Sequence, residues 1–109
     1  TLDSVEMFNA STGTWTARAP MPTGRRPMVV STLNGRAQVM GGEDSGVGNG
    51  VFPQNEEYDP ATDTWRALTQ IPAPKHGAAG GTIGDRVYVF GGGDSSGTSF
   101  TSTLDAFRF

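Results

Sequence analysis

Residues 36–45, RAQVMGGEDS, return fifty positions later as residues 86–95, RVYVFGGGDS. The stretch 8–17, FNASTGTWTA, returns at the same spacing as residues 58–67, YDPATDTWRA. Many of the shared positions are Gly, Trp and Thr, and Gly commonly marks the turns between helices or strands. A period near fifty residues indicates a repeat architecture, in which each unit buries its apolar face against its neighbours rather than alone.

Length and composition indicate one small domain and exclude several classes of function. The 109 residues hold two copies of the unit, about residues 1–50 and 51–109, which leaves no residues for a second domain. The net charge of −3 and the absence of a basic stripe argue against a nucleic-acid partner. The chain has no cysteine, which excludes disulfides and thiolate chemistry. No apolar run is long enough to span a membrane, so we expect no membrane partner. None of these features indicates a compartment.

Each unit is predicted to consist of short β-strands separated by turns. The chain has 16 Gly and 7 Pro, and no long stretch keeps the apolar period of a helix. Asn34-Gly35 is a strong hairpin-turn signal between two such strands. The predicted strands are 5–9, 14–18, 26–33, 36–40, 56–59, one that begins near 64–66, 76–83, 86–90 and 105–109.

The strand count places the same element at both ends of the chain. The chain opens in the third and fourth strands of a unit, continues with a complete set of four, and then repeats the first three. In this interpretation the last segment, 105–109, is another third strand, and Phe109 takes the position of Phe8 and Tyr58.

This pattern resembles the kelch repeat, and the resemblance covers essentially the whole chain. It implies an all-β fold of about two four-stranded antiparallel blades, in a β-propeller ring that usually has six or seven blades. The first copy departs mildly from the family pattern, with Phe8-Asn9-Ala10 in place of Tyr-Asp-Pro. The resemblance rests on the glycine pairs 41–42 and 91–92, on Tyr58-Asp59-Pro60 followed by Thr64-Trp65, and on Met21-Pro22 and Ile71-Pro72.

The residues that recur in both units are interpreted as structural. The Gly-rich run that ends in Asp94 is no phosphate cradle, because no helix follows it. Each Trp is expected to be largely buried between blades rather than to serve as a stacking platform. The structural repeat residues are Trp15, Trp65, Gly41, Gly42, Gly91, Gly92 and Tyr58.

The polar residues give no catalytic or metal-binding pattern. His76 is the single histidine, and its counterpart in the other unit is Arg26, so a polar role at a loop edge is favoured over a base or metal ligand. Asp44-Ser45 and Asp94-Ser95 recur after the glycine pairs and are expected to shape turns, since they supply too few oxygens for calcium. We expect no metal, no cofactor and no catalytic residue.

Antiparallel strands place alternate loops on opposite faces of the blades. The loops 43–53, 93–102, 19–26 and 69–76 are long and share one face, and long loops on a rigid scaffold are a usual site of recognition. We therefore expect a binding or interaction module for a protein, peptide or glycan that uses this face. The candidate ligand-binding residues are Arg25, Arg26, Glu43, Asp44, Lys75, His76 and Asp94.

The resemblance also raises an alternative, a part of a carbohydrate-active propeller enzyme. Copper radical oxidases of the galactose oxidase type carry similar propellers, but their site resembles a Cys-linked Tyr with His ligands. This chain has no Cys and one His, so that chemistry cannot be assembled within it. An enzyme of the sialic-acid epimerase type stays open, with a site formed only in the full ring.

Two blades form an open arc, and exposed strand edges invite pairing with other chains. If the chain is complete, we expect a homo-oligomer that closes a ring, a cyclic trimer first and a tetramer second. The rival explanation is that the chain is a piece of a longer propeller.

Overall fold

The computed structural model describes residues 2–26, 28–44, 46 and 50–109; Thr1, Pro27, Ser45 and residues 47–49 are outside this description. Within it the chain is all-β, with nine strands and no helix, which confirms the predicted fold class. In these same ranges no helix long and apolar enough to cross a membrane is found. The strands are β1 (Val5–Asn9), β2 (Thr14–Arg18), β3 (Val29–Leu33), β4 (Arg36–Met40), β5 (Asn55–Asp59), β6 (Thr64–Ala67), β7 (Ala79–Ile83), β8 (Arg86–Phe90) and β9 (Leu104–Phe107).

The strands form three antiparallel sheets. The first contains β1 and β2, the second contains β3 to β6 in sequence order, and the third contains β7 to β9. Within each sheet every strand pairs with the next one along the chain, so the β3–β4, β5–β6 and β7–β8 turns lie on one face. The longer connections lie on the other, and we call that side the long-loop face. The order of strands follows the prediction from sequence.

Local turn chemistry explains why these strands pair as they do. Asn34 and Gly35 both adopt positive φ, 55° and 72°, which is the geometry of the two-residue turn that fits strand twist. The β5–β6 turn ends at Asp63, with φ of 56°, and sets Tyr58 opposite Trp65. Their rings lie 5.1 Å apart, as cross-strand aromatic pairs do.

Two predicted strands begin later than expected. The strand predicted at 26–33 begins at Val29, and the one predicted at 76–83 begins at Ala79. Arg26 and His76 instead form isolated bridges, Arg26 with Glu43 and His76 with the Gly93 backbone. These bridges tie the long loops to the sheet without extending it.

The predicted equivalence of Phe109 with Tyr58 is wrong. β9 ends at Phe107, which pairs with Val87 as Tyr58 pairs with Ala37. The loop that precedes β9 is therefore shorter than its counterpart, and Phe107 is the residue that recurs. Phe109 instead packs edge-on against Phe107, with ring centroids 5.4 Å apart.

The second and third sheets enclose the apolar core. β3 lies against β7 and β8, and apolar side chains from both sheets and the connecting loop are buried there. The core side chains are Val29, Leu33, Met40, Ile71, Val87 and Val89.

The first and second sheets meet through polar contacts instead. Arg18 Nε donates to the Tyr58 hydroxyl at 3.0 Å, and that hydroxyl donates to Asp63 Oδ1 at 2.8 Å. The Ala19 amide donates to the same carboxylate oxygen at 2.9 Å. Trp65 Nε1 donates to the Ala19 carbonyl at 2.9 Å. This network holds the segment that follows β2 against the outer strand β6.

Candidate functional site

Two of the candidate residues, Arg25 and Lys75, are buried in the structure. Each is 1% exposed. Arg25 Nη2 lies 3.1 Å from Glu56 Oε2 and donates to the Val39 carbonyl at 2.9 Å. Burial lowers the pKa of Arg25, an effect that the Glu56 carboxylate partly opposes. The side chain therefore braces β4 and β5 from the preceding loop, and its burial argues against direct contact with a ligand.

Lys75 repeats this arrangement one unit later. Its Nζ lies 2.7 Å from Asp105 Oδ2 and also bonds the Thr103 hydroxyl. Asp105 pairs with Val89 as Glu56 pairs with Val39, so the two buried ion pairs are repeat equivalents. Arg25 and Lys75 thus both brace neighbouring strands, whereas from the sequence they were expected to contact a ligand.

Glu43 and His76 do come together on the long-loop face. Glu43 Oε2 lies 3.8 Å from His76 Nε2 and accepts hydrogen bonds from Ser96 Oγ at 3.1 Å and from the Gly97 amide at 3.0 Å. His76 Nε2 also lies 2.9 Å from the Ser95 carbonyl oxygen. One carboxylate thereby fastens the loop of the third sheet to the loop of the second.

The same contacts set the acidity of Glu43. The Gly97 amide lowers the pKa of Glu43 below its usual value, and Ser96, His76 and Arg26 act in the same direction. Partial burial opposes them. The carboxylate is therefore held ionised as a fastening group, which does not suit it to donate a proton near neutral pH.

The fastened loop borders a groove, which we call the His76 groove. Its volume is about 370 Å³. Phe100 forms part of its wall and is 91% exposed. Ser99 is held in place because its hydroxyl donates to the Ser95 carbonyl at 2.8 Å. The lining consists of His76, Gly77, Gly92, Gly93, Gly97, Thr98, Ser99, Phe100 and Thr101.

The remaining candidates do not line this groove. Arg26 is exposed and exchanges backbone hydrogen bonds with Glu43. Asp44 shapes a turn, since its Oδ1 accepts from the Gly46 amide at 3.0 Å. Asp94 is exposed. Ser45, which recurs as Ser95, lies outside the described residues, and among those described no group of His, Asp and Glu could hold a metal ion.

The glycine pairs adopt backbone conformations that favour glycine. Gly41 and Gly42 adopt φ of 67° and 107°, and Gly91 and Gly92 adopt 68° and 83°. A Cβ on Gly41 would overlap the Lys75 carbonyl oxygen, so the backbone passes too close there for any side chain.

The two tryptophans differ in their surroundings. Trp65 is half-buried and bonded to Ala19, whereas Trp15 is 67% exposed. Burial of both tryptophans was expected and is wrong for Trp15 in the chain as described. Trp15 packs on Phe8 at 5.1 Å, but no described strand of this chain covers the outer side of that ring pair.

Three features were not predicted from the sequence: Glu56, Asp105 and the serine-rich loop that holds Glu43. The two carboxylates occupy equivalent positions only when Phe107, not Phe109, is matched to Tyr58. The shorter loop before β9 hid this equivalence in the sequence. Ser96 and Ser99 carry no pattern of their own. Their importance arises from a loop conformation that sequence spacing does not define.

Comparison with known proteins supports the architecture. No family model matches the chain, and no curated protein matches it. Solved structures do match: the likeness extends to 113 chains. One of them, the structure of YjhT, has a TM-score of 0.71 and 27% sequence identity over 84% of this chain. The match covers 28% of YjhT, so this chain spans less than a third of that protein. The chain is therefore similar in fold to part of YjhT.

Proposed function

We propose that this chain is part of a kelch-type β-propeller and acts as a non-catalytic binding module. Its long-loop face recognises a polar ligand, a protein segment, peptide or glycan. The doubled glycine, aromatic and Trp positions, the blade-like sheets and the likeness to part of YjhT support the kelch assignment. The observation that carries the binding function is the His76 groove on that face.

The chemistry of the groove suits a neutral polar ligand. Thr98 offers a hydroxyl group, whereas the hydroxyls of Ser99 and Thr101 already bond inside the loop. The exposed Gly77 and Gly97 leave the backbone accessible beside it. Phe100 adds a solvated ring on which the apolar face of a sugar or a peptide side chain can pack. Binding sites commonly combine such a ring with a few polar groups that fix orientation.

Catalysis has less support from these contacts. His76 and Glu43 are the acid–base groups nearest the groove, and both are engaged in fastening loops. A general base needs a proton within hydrogen-bond reach and a pKa suited to the working pH. The lowered pKa of Glu43 works against that function. The enzyme alternative therefore needs groups from further blades.

The binding function is tested by ¹⁵N chemical-shift mapping with three probes: lactose, N-acetylneuraminic acid and peptides selected from a random heptapeptide library. We expect at least one probe to shift the amides of His76 and residues 97–101. The Thr98→Ala/Phe100→Ala variant is expected to weaken that binding at least tenfold. Thr62→Ala, on the opposite face, serves as the matched control and leaves the affinity unchanged.

Two outcomes would overturn the proposal. Shifts confined to Asn34-Gly35 and Gly84-Asp85 would place recognition on the short-loop face. Catalysed turnover of N-acetylneuraminic acid anomers, followed in the same samples by one-dimensional NMR, would favour the enzyme alternative.

A further inference from the structure

The loop that joins β8 to β9 forms one wall of the His76 groove, and its tip is held by the preceding repeat unit. Ser96 Oγ and the Gly97 amide both donate to one oxygen of Glu43, at 3.1 Å and 3.0 Å. These donors lie 53 and 54 positions from Glu43 in the sequence. All three residues belong to this chain, so the contact needs no residue from another chain or a further repeat unit.

Glu43 is held firmly on its own side of this contact. Its amide donates to the Arg26 carbonyl at 2.6 Å, and its carbonyl accepts from the Arg26 amide at 3.2 Å. It also forms an isolated antiparallel bridge with Val51. Because backbone pairs fix Glu43 between two segments of the second unit, its carboxylate is a fixed point against which the loop is placed.

The loop tip has little regular structure of its own. Residues 94–100 are all described and lie outside every strand. The hydrogen bonds of the Ser99 hydroxyl run back to Ser95 within the loop. A second tie to the rest of the molecule is His76, whose Nε2 lies 2.9 Å from the Ser95 carbonyl oxygen and donates to it, since a carbonyl only accepts. The conformation of the tip therefore depends on two side chains outside it, Glu43 and His76.

Two glycines allow these segments to approach one another closely. A Cβ on Gly50, in the loop of the second unit, would overlap the Ser96 side chain. A Cβ on Gly93 would overlap the His76 ring and the Ser99 hydroxyl. The tip thus packs between the loop of the second unit and the imidazole, and close packing of this kind favours one loop conformation over others.

The fastened tip leads directly into the groove wall. Residues 97–101 all line the groove. At the far end of this wall the Thr101 amide donates to the Gly92 carbonyl at 2.7 Å. Residues 97–100 therefore lie between a backbone anchor and the Glu43 carboxylate, so that a movement of the tip moves the wall.

Two groups of the neighbouring segments favour the ionised form of Glu43. His76 approaches from the segment before β7, with its Nε2 3.8 Å from the carboxylate, and Arg26 from the segment before β3. Both lower the pKa of Glu43. The fastened loop carries Asp94, which is exposed, and Asp44 follows Glu43 on its own segment.

The strength of the fastening depends on the charge of Glu43. A hydrogen bond to an ionised acceptor is about twice as strong as one to a neutral acceptor. The Gly97 amide is the main cause that lowers the pKa of Glu43 below its usual 4.5. A carboxyl of this kind stabilises the folded arrangement above its unfolded pKa and loses that contribution as the pH falls through the folded pKa. Acid is therefore expected to release the loop, whereas neutral pH holds it.

We propose that Glu43 is a positioning residue of the His76 groove, because its ionised carboxylate selects the loop conformation in which residues 97–100 form the groove wall. Ligand binding in the third unit then depends on a charge that the second unit supplies. This inference rests on the proposed binding function and adds a regulation to it. Since coupling of this kind is reciprocal, a ligand in the groove also strengthens the contacts of Glu43.

The first test measures the loop without any ligand. Glu43→Gln keeps the shape of the side chain and removes its charge. At neutral pH we expect the backbone order parameters of residues 96–100, from ¹⁵N relaxation, to fall below about 0.6, which is the flexible range. Asp85→Asn removes the same charge from the exposed β7–β8 turn on the opposite face and leaves those order parameters unchanged.

An acid titration of the unaltered chain gives a second readout, which needs no variant to fold. We expect the amide resonance of Gly97 to move with a midpoint below pH 4.5, the usual pKa of a glutamate. The same movement should be absent in Glu43→Gln. Ser96→Ala removes one donor from the loop side and keeps the Gly97 bond, so it should loosen the loop less than Glu43→Gln does.

Affinity measurements then test the positioning role. The probes are lactose and capped heptapeptides without ionisable side chains, so that the pH acts on the protein alone. Because the apparent dissociation constant rises as the binding-competent fraction falls, Glu43→Gln should bind about fivefold more weakly at neutral pH. The unaltered chain should approach that weaker affinity at about pH 4, whereas the affinity of Glu43→Gln should change little with pH.

The outcomes separate this inference from the function on which it rests. Rigid loop residues in Glu43→Gln, or a Gly97 amide that does not titrate, would overturn the fastening role whether or not a probe binds. A loosened loop with unchanged affinity would overturn the positioning role and leave the groove as a binding site. Failure of every probe to bind, with the loop loosened as expected, would contradict the proposed function and with it the control of recognition by Glu43.

Discussion

The two contacts between sheets in this chain are built by equivalent repeat units, yet one is apolar and the other polar. Between the second and third sheets, Met40 and Val87 are fully buried among aliphatic neighbours. Between the first and second, Arg18, Tyr58 and Asp63 form a hydrogen-bonded chain instead. The two contacts use different strands of the repeat, because β3 lies against β7 and β8 in the apolar contact, whereas β2 reaches β5 and the β5–β6 turn in the polar one. The chemistry of each contact therefore follows from which strands meet.

A buried ion pair is a feature that the two repeat units share. Arg25–Glu56 and Lys75–Asp105 occupy equivalent places in the two units, at 3.1 Å and 2.7 Å. Arg has replaced Lys and Glu has replaced Asp, so a longer acid pairs with the longer base. A buried charge needs a partner, and this requirement couples the identity of one residue to the other.

The largest effect is expected from breaking the Arg25–Glu56 pair. Glu56→Gln keeps an oxygen for the Thr23 hydroxyl, which donates to Glu56 at 2.7 Å. It leaves the Arg25 charge buried without a carboxylate, which typically costs about 3–5 kcal/mol. Urea unfolding measures the free energy of unfolding.

Asp105→Asn is the matched variant of the second unit. Because Asp105 is 15% exposed and Glu56 only 6%, the Asp105 variant should lose less stability. Equal losses would contradict the view that burial sets the cost. An Arg25→Met/Glu56→Leu double variant should recover most of the stability, since both charges are then removed together.

The apolar contact is tested by Met40→Ala. Met40 is fully buried between the second and third sheets, and truncating such a residue costs about 2–5 kcal/mol, including the cavity left behind. Met7→Ala on β1 is the control, since that side chain is half-exposed and should lose much less. Similar losses at the two sites would mean that the inter-sheet core does not carry the stability.

The glycine pairs offer a smaller and more selective comparison. Gly41→Ala and Gly91→Ala both force an L-residue into a left-handed conformation, which costs about 1–2 kcal/mol. At Gly41 the methyl group also collides with the Lys75 carbonyl, so that variant should unfold at clearly lower urea concentration. A comparable loss at Gly91, where a Cβ would meet nothing nearer than 3.8 Å, would contradict this account of close approach.

The smallest effect concerns the pH dependence of the polar contact. The Ala19 amide, the Tyr58 hydroxyl and Arg18 lower the pKa of Asp63 below its usual 3.8. A carboxyl whose folded pKa is lowered stabilises the fold above its unfolded pKa and loses that contribution as the pH falls through the folded pKa. Asp63→Asn should therefore flatten the loss of stability below about pH 4, measured by thermal unfolding. An unchanged acid profile would show that Asp63 is not held ionised by this network.

Much of the fold could be predicted because its determinants are local. Asn34-Gly35 specifies a tight turn by backbone conformation alone, and the alternation of Val87 and Val89 indicates a strand with one buried face. The prediction failed where a loop sets the register. Phe109 was matched to Tyr58 because the length of the loop before β9 is not encoded in any local signal.

The candidate site divides in the same way. His76 and Glu43 were selected as residues of the long-loop face, and the structure places them within 3.8 Å of each other. Arg25 and Lys75 were selected for the same reason but are buried. A charged residue in a loop is usually solvated, and only the packing of a neighbouring strand shows that it is not.

By itself the sequence determined the repeat, the strand order and the turn positions, because glycine, proline and asparagine restrict the backbone wherever they occur. Only the tertiary structure decided which of the charged residues are buried and which loop fastens to which. These properties depend on contacts between residues that lie from 14 to 54 positions apart in the chain, and side-chain burial at such contacts follows from packing rather than from local preference.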